Sequence, residues 1–354
     1  MKLGLGFYRN MLTDENFRFA RQAGATHIVA HLVDYFNEGP RLPGAKHDGW
    51  GIVTAQDHLW TVEGLSELKA QIESHGLTLE AIENFDPTYW YDVLLDGPRR
   101  DAQMAHLKTI IRNMGTVGIP VMGYNFSIAG VWGHVTGPFG RGGAESVGFF
   151  GPDGPEETAI PQGMVWNMVY DPDAPAGSIG SVTHEQLWDR LERFLKEIIP
   201  VAEEAGVKVA AHPDDPPMPT IRGTARLVYQ PEYYQKLLDI QPSPSNTMEF
   251  CVGSLAEMSE GDIYDVVDRY SQQNKIGYIH LRNVRGKVPH YEEVFIDEGD
   301  VDMLRVLQIL HKNGYEGVLI PDHTPRMACD APWHAGMAYA LGYMRAGLRM
   351  MGAE

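Results

Sequence analysis

Four short apolar runs in the C-terminal half of the chain each end on a side chain able to hold a divalent metal. They read Ala-Ala-His212-Pro213-Asp214-Asp215, Glu249-Phe250-Cys251-Val252-Gly253-Ser254, Ile279-His280-Leu281-Arg282-Asn283 and Pro321-Asp322-His323-Thr324. Neutral imidazole, thiolate and carboxylate are ordinary ligands of divalent metals. Taken singly, each residue reads as readily as a structural group, a histidine hydrogen-bonded in a core or a cysteine acting as a small hydrophobe. Their recurrence at successive run ends changes the weighing, because polar side chains gathered there are costly to bury without a shared partner. A metal held by His212, Cys251, His280 and Asp322 supplies that partner. Acid–base groups stand beside it. His323 has an ordinary pKa of about 6.5, suited to giving or taking a proton. Asp214 and Asp215 read either as proton carriers or as groups that orient a ligand imidazole. Arg282 offers a bidentate fork for a substrate carboxylate, with a strand-end salt bridge as the plain alternative.

The elements that must position these residues follow a regular alternation. Apolar runs occupy residues 3–8, 26–32, 77–85, 120–126, 207–213, 247–253, 276–283 and 317–323. Their length and β-branched or aromatic content suit strands buried on both faces. Amphipathic stretches lie between them, at 13–24, 61–75, 101–117, 183–205, 259–273, 301–313 and 333–351, several ending at a glycine suited to a left-handed cap. The stretch 221–240 is the least regular, because Pro231 interrupts it. Eight strand–helix alternations in 354 residues predict a single (β/α)8 TIM barrel with its chemistry at the C-terminal ends of the strands. Residues 127–181, after the fourth strand, form a Gly/Pro-rich insertion carrying Trp132, Phe139, Phe149, Phe150 and Trp166. So long a connection is read as a lid over the mouth, with a packed surface flap or an oligomer contact as alternatives.

Composition narrows the function classes. The net charge of −18 and the lack of a Lys/Arg cluster argue against nucleic acid as a partner. No run of eighteen apolar residues suggests a membrane span, and the first residues read as a strand rather than a secretory signal. Cys251 and Cys329 are the only cysteines, which excludes a disulfide framework and suits a cytoplasmic setting. No Gly-x-Gly-x-x-Gly or Walker-type motif is present. A small-molecule substrate is the expected partner, and a homo-oligomer is allowed.

The motifs also carry a family resemblance. The long segment Ile199-Pro200-Val201-Ala202-Glu203-Glu204-Ala205-Gly206-Val207, followed by His212-Pro213-Asp214-Asp215-Pro216-Pro217, resembles the mannonate dehydratase family. Ile111-Arg112-Asn113, Gly123-Tyr124-Asn125-Phe126, Trp166-Asn167 and Cys251-x-Gly253-Ser254 match in order. So do His280-Leu281-Arg282, Gly299-Asp300-Val301-Asp302-Met303 and Pro321-Asp322-His323. The resemblance implies a lyase that dehydrates a sugar acid to a 2-keto-3-deoxy acid. It implies manganese on His212, Cys251, His280 and Asp322, and His323 as catalytic acid/base. Thiolate softness alone would favour zinc or iron, with cobalt also admissible. Asn125 and Trp166 become candidate substrate contacts. The chain departs from the family pattern at Ile320 and Thr324, where Arg and Gly are usual, and at Glu83-Asn84-Phe85-Asp86-Pro87, which replaces a Val-His-Glu-like segment. A family Tyr in the last loop has Tyr339 and His334 as candidate counterparts. These departures predict a preference for an acid other than D-mannonate. Two rival readings are a metal-dependent sugar isomerase or epimerase on the same barrel, and a non-catalytic sugar-acid binder.

Overall fold

The computed structural model describes residues 1–37 and 50–353. Its centre is a closed, all-parallel barrel of eight strands. These are β1 (Lys2–Phe7), β2 (His27–Ala30), β3 (Thr78–Glu83), β4 (Val121–Tyr124), β5 (Lys208–Ala211), β6 (Asn246–Cys251), β7 (Ile276–His280) and β8 (Val318–Ile320). Each strand pairs with its neighbours in chain order, and β1 closes the ring by pairing with both β2 and β8. Helices α1 (Asp14–Ala23), α2 (Val62–Ser74), α3 (Arg100–Val117), α4 (His184–Ala205), α5 (Glu232–Ile240), α6 (Ile263–Ser271), α7 (Met303–Lys312) and α8 (Pro332–Met350) follow the strands. The alternation read from the sequence is therefore the fold.

Local chemistry explains the boundaries. Thr183 caps α4 with a capping box to Gln186, and Asp262 caps α6 by accepting from Tyr264 and Asp265. Gly118 and Gly206 end α3 and α4 at φ of 75° and 68°, a conformation that costs glycine nothing. The irregular stretch resolves at Pro231, which stands as the N-cap of α5 instead of breaking a longer helix. Sidedness follows from the apolar pattern. Val29, Ala81, Val121, Ala210, Tyr278, Val318 and Ile320 fill the barrel interior as a packed layer.

Above that layer the connections build more than the sequence indicates. Within residues 127–181, strands His134–Gly140 and Ala144–Phe149 form an antiparallel hairpin. A second hairpin, Asn283–Lys287 with His290–Val294, leaves the end of β7 and pairs with the first through Tyr291 and Phe149. Together they make a four-stranded sheet over the barrel mouth. This second hairpin lies beyond the expected end of the seventh strand and was not anticipated from the pattern. Among the described residues no helix is long and apolar enough to cross a membrane.

Candidate active site

A cavity of about 690 Å³ opens at the C-terminal ends of the strands. Its floor is polar. The ends of β5, β6 and β7 bring ligand atoms of His212, Cys251 and His280 within 4.8 Å of one another. His212 Nδ1 lies 2.6 Å from the Pro213 carbonyl, so Nδ1–H donates there and Nε2 is left as the free nitrogen. Cys251 begins the short helix Val252–Glu257, and its sulfur accepts from the Ser254 backbone N–H at 3.4 Å and from the Ser254 hydroxyl at 3.2 Å. Burial opposes a charge on this thiol, but Arg282, His212 and His280 outweigh it and bring its pKa down to about 5.

His280 is divided between two sets of partners. Nε2 stands 3.2 Å from Glu83 Oε2 and 3.4 Å from Glu249 Oε1. Nδ1 is buried without a hydrogen-bond partner and lies 3.5 Å from Asp322 Oδ2. A carboxylate behind one nitrogen and an orphaned lone pair on the other is how a protein orients an imidazole toward a metal. Asp322, two residues past the end of β8, takes a left-handed φ of 59°. A thiolate, two imidazole nitrogens and a nearby carboxylate form a donor set that fits a divalent ion. Below it, burial raises the pKa of Glu249, with Glu83 beside it. Glu83 is also buried, but His31 and His280 hold it ionised.

The remaining expected site residues separate into those that face the cavity and those that do not. His323 does, at its rim, with Nδ1 3.1 Å from Glu293 Oε2 and Nε2 3.4 Å from Asp322 Oδ1. Desolvation opposes its charge, yet these two carboxylates raise its pKa to about 10. Asn125, Trp166 and Asp215 also line the cavity. Arg282 is a correction. Its guanidinium is 2% exposed and is spent on Asp215, Glu257, Glu293 and Asp322, so it braces the carboxylates instead of presenting a fork to substrate. Asp214 is a second. Its Oδ2 accepts from the backbone N–H groups of Leu227 and Val228 at 2.6 and 2.9 Å, and Oδ1 pairs with Arg226, so it secures a loop away from the cavity.

The departures from the family pattern also sort themselves. Ile320 packs in the barrel layer and is not part of the cavity wall, whereas Glu83, Asn84 and Thr324 are. Tyr339 lies against Phe295 and accepts from Arg141, and His334 bonds Asn16 and packs on Phe19. Neither lines the cavity; Trp333 and Met337 of the same helix do. The phenols that line the cavity are Tyr35 and Tyr8, the latter just past β1, where burial, Asp322 and Glu83 push its pKa upward. Tyr8, His31, His134 and Glu293 were all missed from the sequence. Tyr8 ends an apolar run and His31 lies within one, so both read as core. His134 and Glu293 sit on hairpins with no strand-end signal.

With this geometry in place, comparison with known proteins is informative. The family model described as D-mannonate dehydratase (UxuA) matches residues 16–141 and 177–350. A mannonate dehydratase of Streptococcus suis (strain 05ZYH33) is 34% identical over 305 residues, covering 82% of this chain and 81% of the relative. Mannonate dehydratase 2 of Halalkalibacterium halodurans is 31% identical over 298 residues, covering 80% and 84%. The crystal structure of mannonate dehydratase from Streptococcus suis serotype 2 superposes with a TM-score of 0.77 at 28% identity, covering 99% and 95% of the two chains. D-psicose 3-epimerase from Clostridium cellulolyticum H10 shares the fold alone, at a TM-score of 0.59 and 13% identity over 98% and 99%. By extended sequence similarity and by architecture, this chain belongs to the D-mannonate dehydratase family.

Proposed function

We propose that the chain is a hydro-lyase that dehydrates D-mannonate or a related aldonate to a 2-keto-3-deoxy acid, with a divalent metal held by His212, Cys251, His280 and Asp322. The observation that carries the reading is the buried, partnerless Nδ1 of His280, aimed toward Asp322 beside a thiolate. Membership of the family supplies the reaction class. Manganese rests on the family resemblance, and zinc, iron or cobalt suit the same donors.

The reaction removes the proton α to a carboxylate and expels the neighbouring hydroxyl. When bound, the metal supplies Lewis-acid stabilisation of the negative charge that develops beside the carboxylate. His323, held between Asp322 and Glu293, keeps a proton on each ring nitrogen and stands as the acid for the departing hydroxyl. Asn125 offers a polar contact on the wall, and Tyr35, Trp50 and Trp166 add mutually packed aromatic rings to it. Asp215 orients Arg282 and through it the carboxylates around the site. A screen of aldonic and uronic acids with added Mn²⁺, read by 2-keto-3-deoxy acid formation, tests the proposal. Isomerised product without loss of water would replace it with the isomerase reading, and binding without turnover would replace it with the binder.

A further inference from the structure

Dehydration needs a second proton-transfer group, one that receives the C2 proton. Hydrogen-bond accounting identifies it among the imidazoles of the cavity wall. His212 and His280 are committed as described. His323 lies between two carboxylates, so both its nitrogens donate. His31 is also spoken for. Asn84 donates to Tyr35 Oη at 3.1 Å, the Tyr35 hydroxyl lies 3.3 Å from His31 Nδ1, and His31 Nε2 faces Glu83 at 3.8 Å.

His134 differs. It enters the cavity from the insertion hairpin, and its Nε2 is 2.6 Å from Tyr291 Oη. The single Tyr291 hydroxyl proton is donated to Asp215 Oδ1 at 2.9 Å. Asp215 is a carboxylate that also takes Arg282, so it accepts only. Tyr291 Oη must then accept from His134, which places the imidazole proton on Nε2 and the lone pair on Nδ1. No described residue hydrogen-bonds that Nδ1. Two carboxylates of the wall are occupied: Glu83 accepts from Tyr278 and His280, and Glu293 from His323 and Arg282, while Glu249 stands 3.4 Å from the ligand His280.

We propose that His134, its tautomer set by the Asp215–Tyr291 relay, is the catalytic base that takes the C2 proton through Nδ1, an assignment that rests on the dehydratase reading above. The C2–H bond breaks and its proton passes to Nδ1. The electron pair forms the C2=C3 bond, the C3–O bond breaks, and the hydroxyl leaves as water with a proton from His323. The enol ketonises by gaining a proton at C3 and releasing one from O2, which restores both imidazoles. Burial also lowers the pKa of His134, as befits a base that must enter the reaction unprotonated.

Two measurements decide the proposal. Long-range ¹H–¹⁵N spectra of the protein as purified, with His134→Gln to assign the signal, read the tautomer without turnover. Nε2–H with an unprotonated Nδ1 is expected, and an Nδ1–H tautomer overturns the relay. On an acid the parent dehydrates, His134→Gln should lower kcat by roughly 10²-fold or more. Metal content should hold. A kcat within about threefold of the parent overturns the assignment. A parent that dehydrates no acid overturns the function above, while the tautomer still decides the relay.

Discussion

Replacing Arg282 with Met removes a cation on which several buried carboxylates depend while keeping most of the side-chain volume. The guanidinium bonds Glu257 at 2.6 Å and Asp322 at 3.1 Å, and it pairs with Asp215 and with Glu293 at 3.3 Å. Removing one partner of a buried ion pair costs roughly 3–5 kcal/mol, because the other charge is left unpaired. Glu257 relieves part of this by protonating, since burial already raises its pKa and, among the described residues, its carboxyl group hydrogen-bonds Arg282 alone. Asp215 keeps Tyr291 but loses its cation. We therefore expect Arg282→Met to unfold on the order of 10 °C below the parent, at about 2–4 °C per kcal/mol for a large domain. Chelator-treated protein should be used in both cases, so that metal binding does not contribute. The pH dependence has a definite sign. In the parent, burial opposes ionisation of Asp215, but Arg282 and neighbouring histidines outweigh it and bring its folded pKa to about 2. That is below the unfolded value of about 3.9, so its contribution is present above that value and lost as pH falls through the folded pKa. Without Arg282 the folded pKa should rise, and the variant's deficit is expected to shrink as the pH is lowered from about 7 to about 5. A melting temperature within about 2 °C of the parent, or a deficit independent of pH, would refute the bracing role.

Cys251→Ala should lower bound metal and activity together, measured by elemental analysis and turnover. Full metal stoichiometry in single variants of His212, Cys251, His280 and Asp322 would remove the site. His323→Asn should retain metal yet lose roughly 10²-fold in kcat. Activity within about threefold of the parent at saturating substrate would exclude it as the acid. The wall residues Thr324 and Asn84, together with the aromatic side, should favour a polyhydroxy acid other than D-mannonate. A kcat/KM for D-mannonate above about 10⁴ M⁻¹ s⁻¹, the lower range of ordinary enzymes, would show that these differences are compensated elsewhere.

The sequence alone determined the barrel and the gathering of His212, Cys251 and His280, because both are written in local order. Strands buried on both faces must be continuous apolar runs, and helix ends need caps such as Thr183, Asp262, Gly118 and Gly206. A polar residue closing such a run then falls at the mouth of the barrel. Tertiary structure decided which polar groups remain available. Arg282 reads as a free fork until Asp215, Glu257, Glu293 and Asp322 converge on it, and Ile320 reads as a substrate contact until it packs between strands. Neither His134 nor Glu293 ends a barrel strand, and their places depend on two hairpins pairing across the mouth. The decisive bonds join partners far apart in the chain: 76 residues for Tyr291 with Asp215, 157 for His134 with Tyr291, and 197 for His280 with Glu83. Periodicity and capping depend on neighbours within a few residues, so a sequence displays them. The saturation of a donor or acceptor depends on every group the fold brings within about 3 Å, so it exists only once the chain has closed on itself.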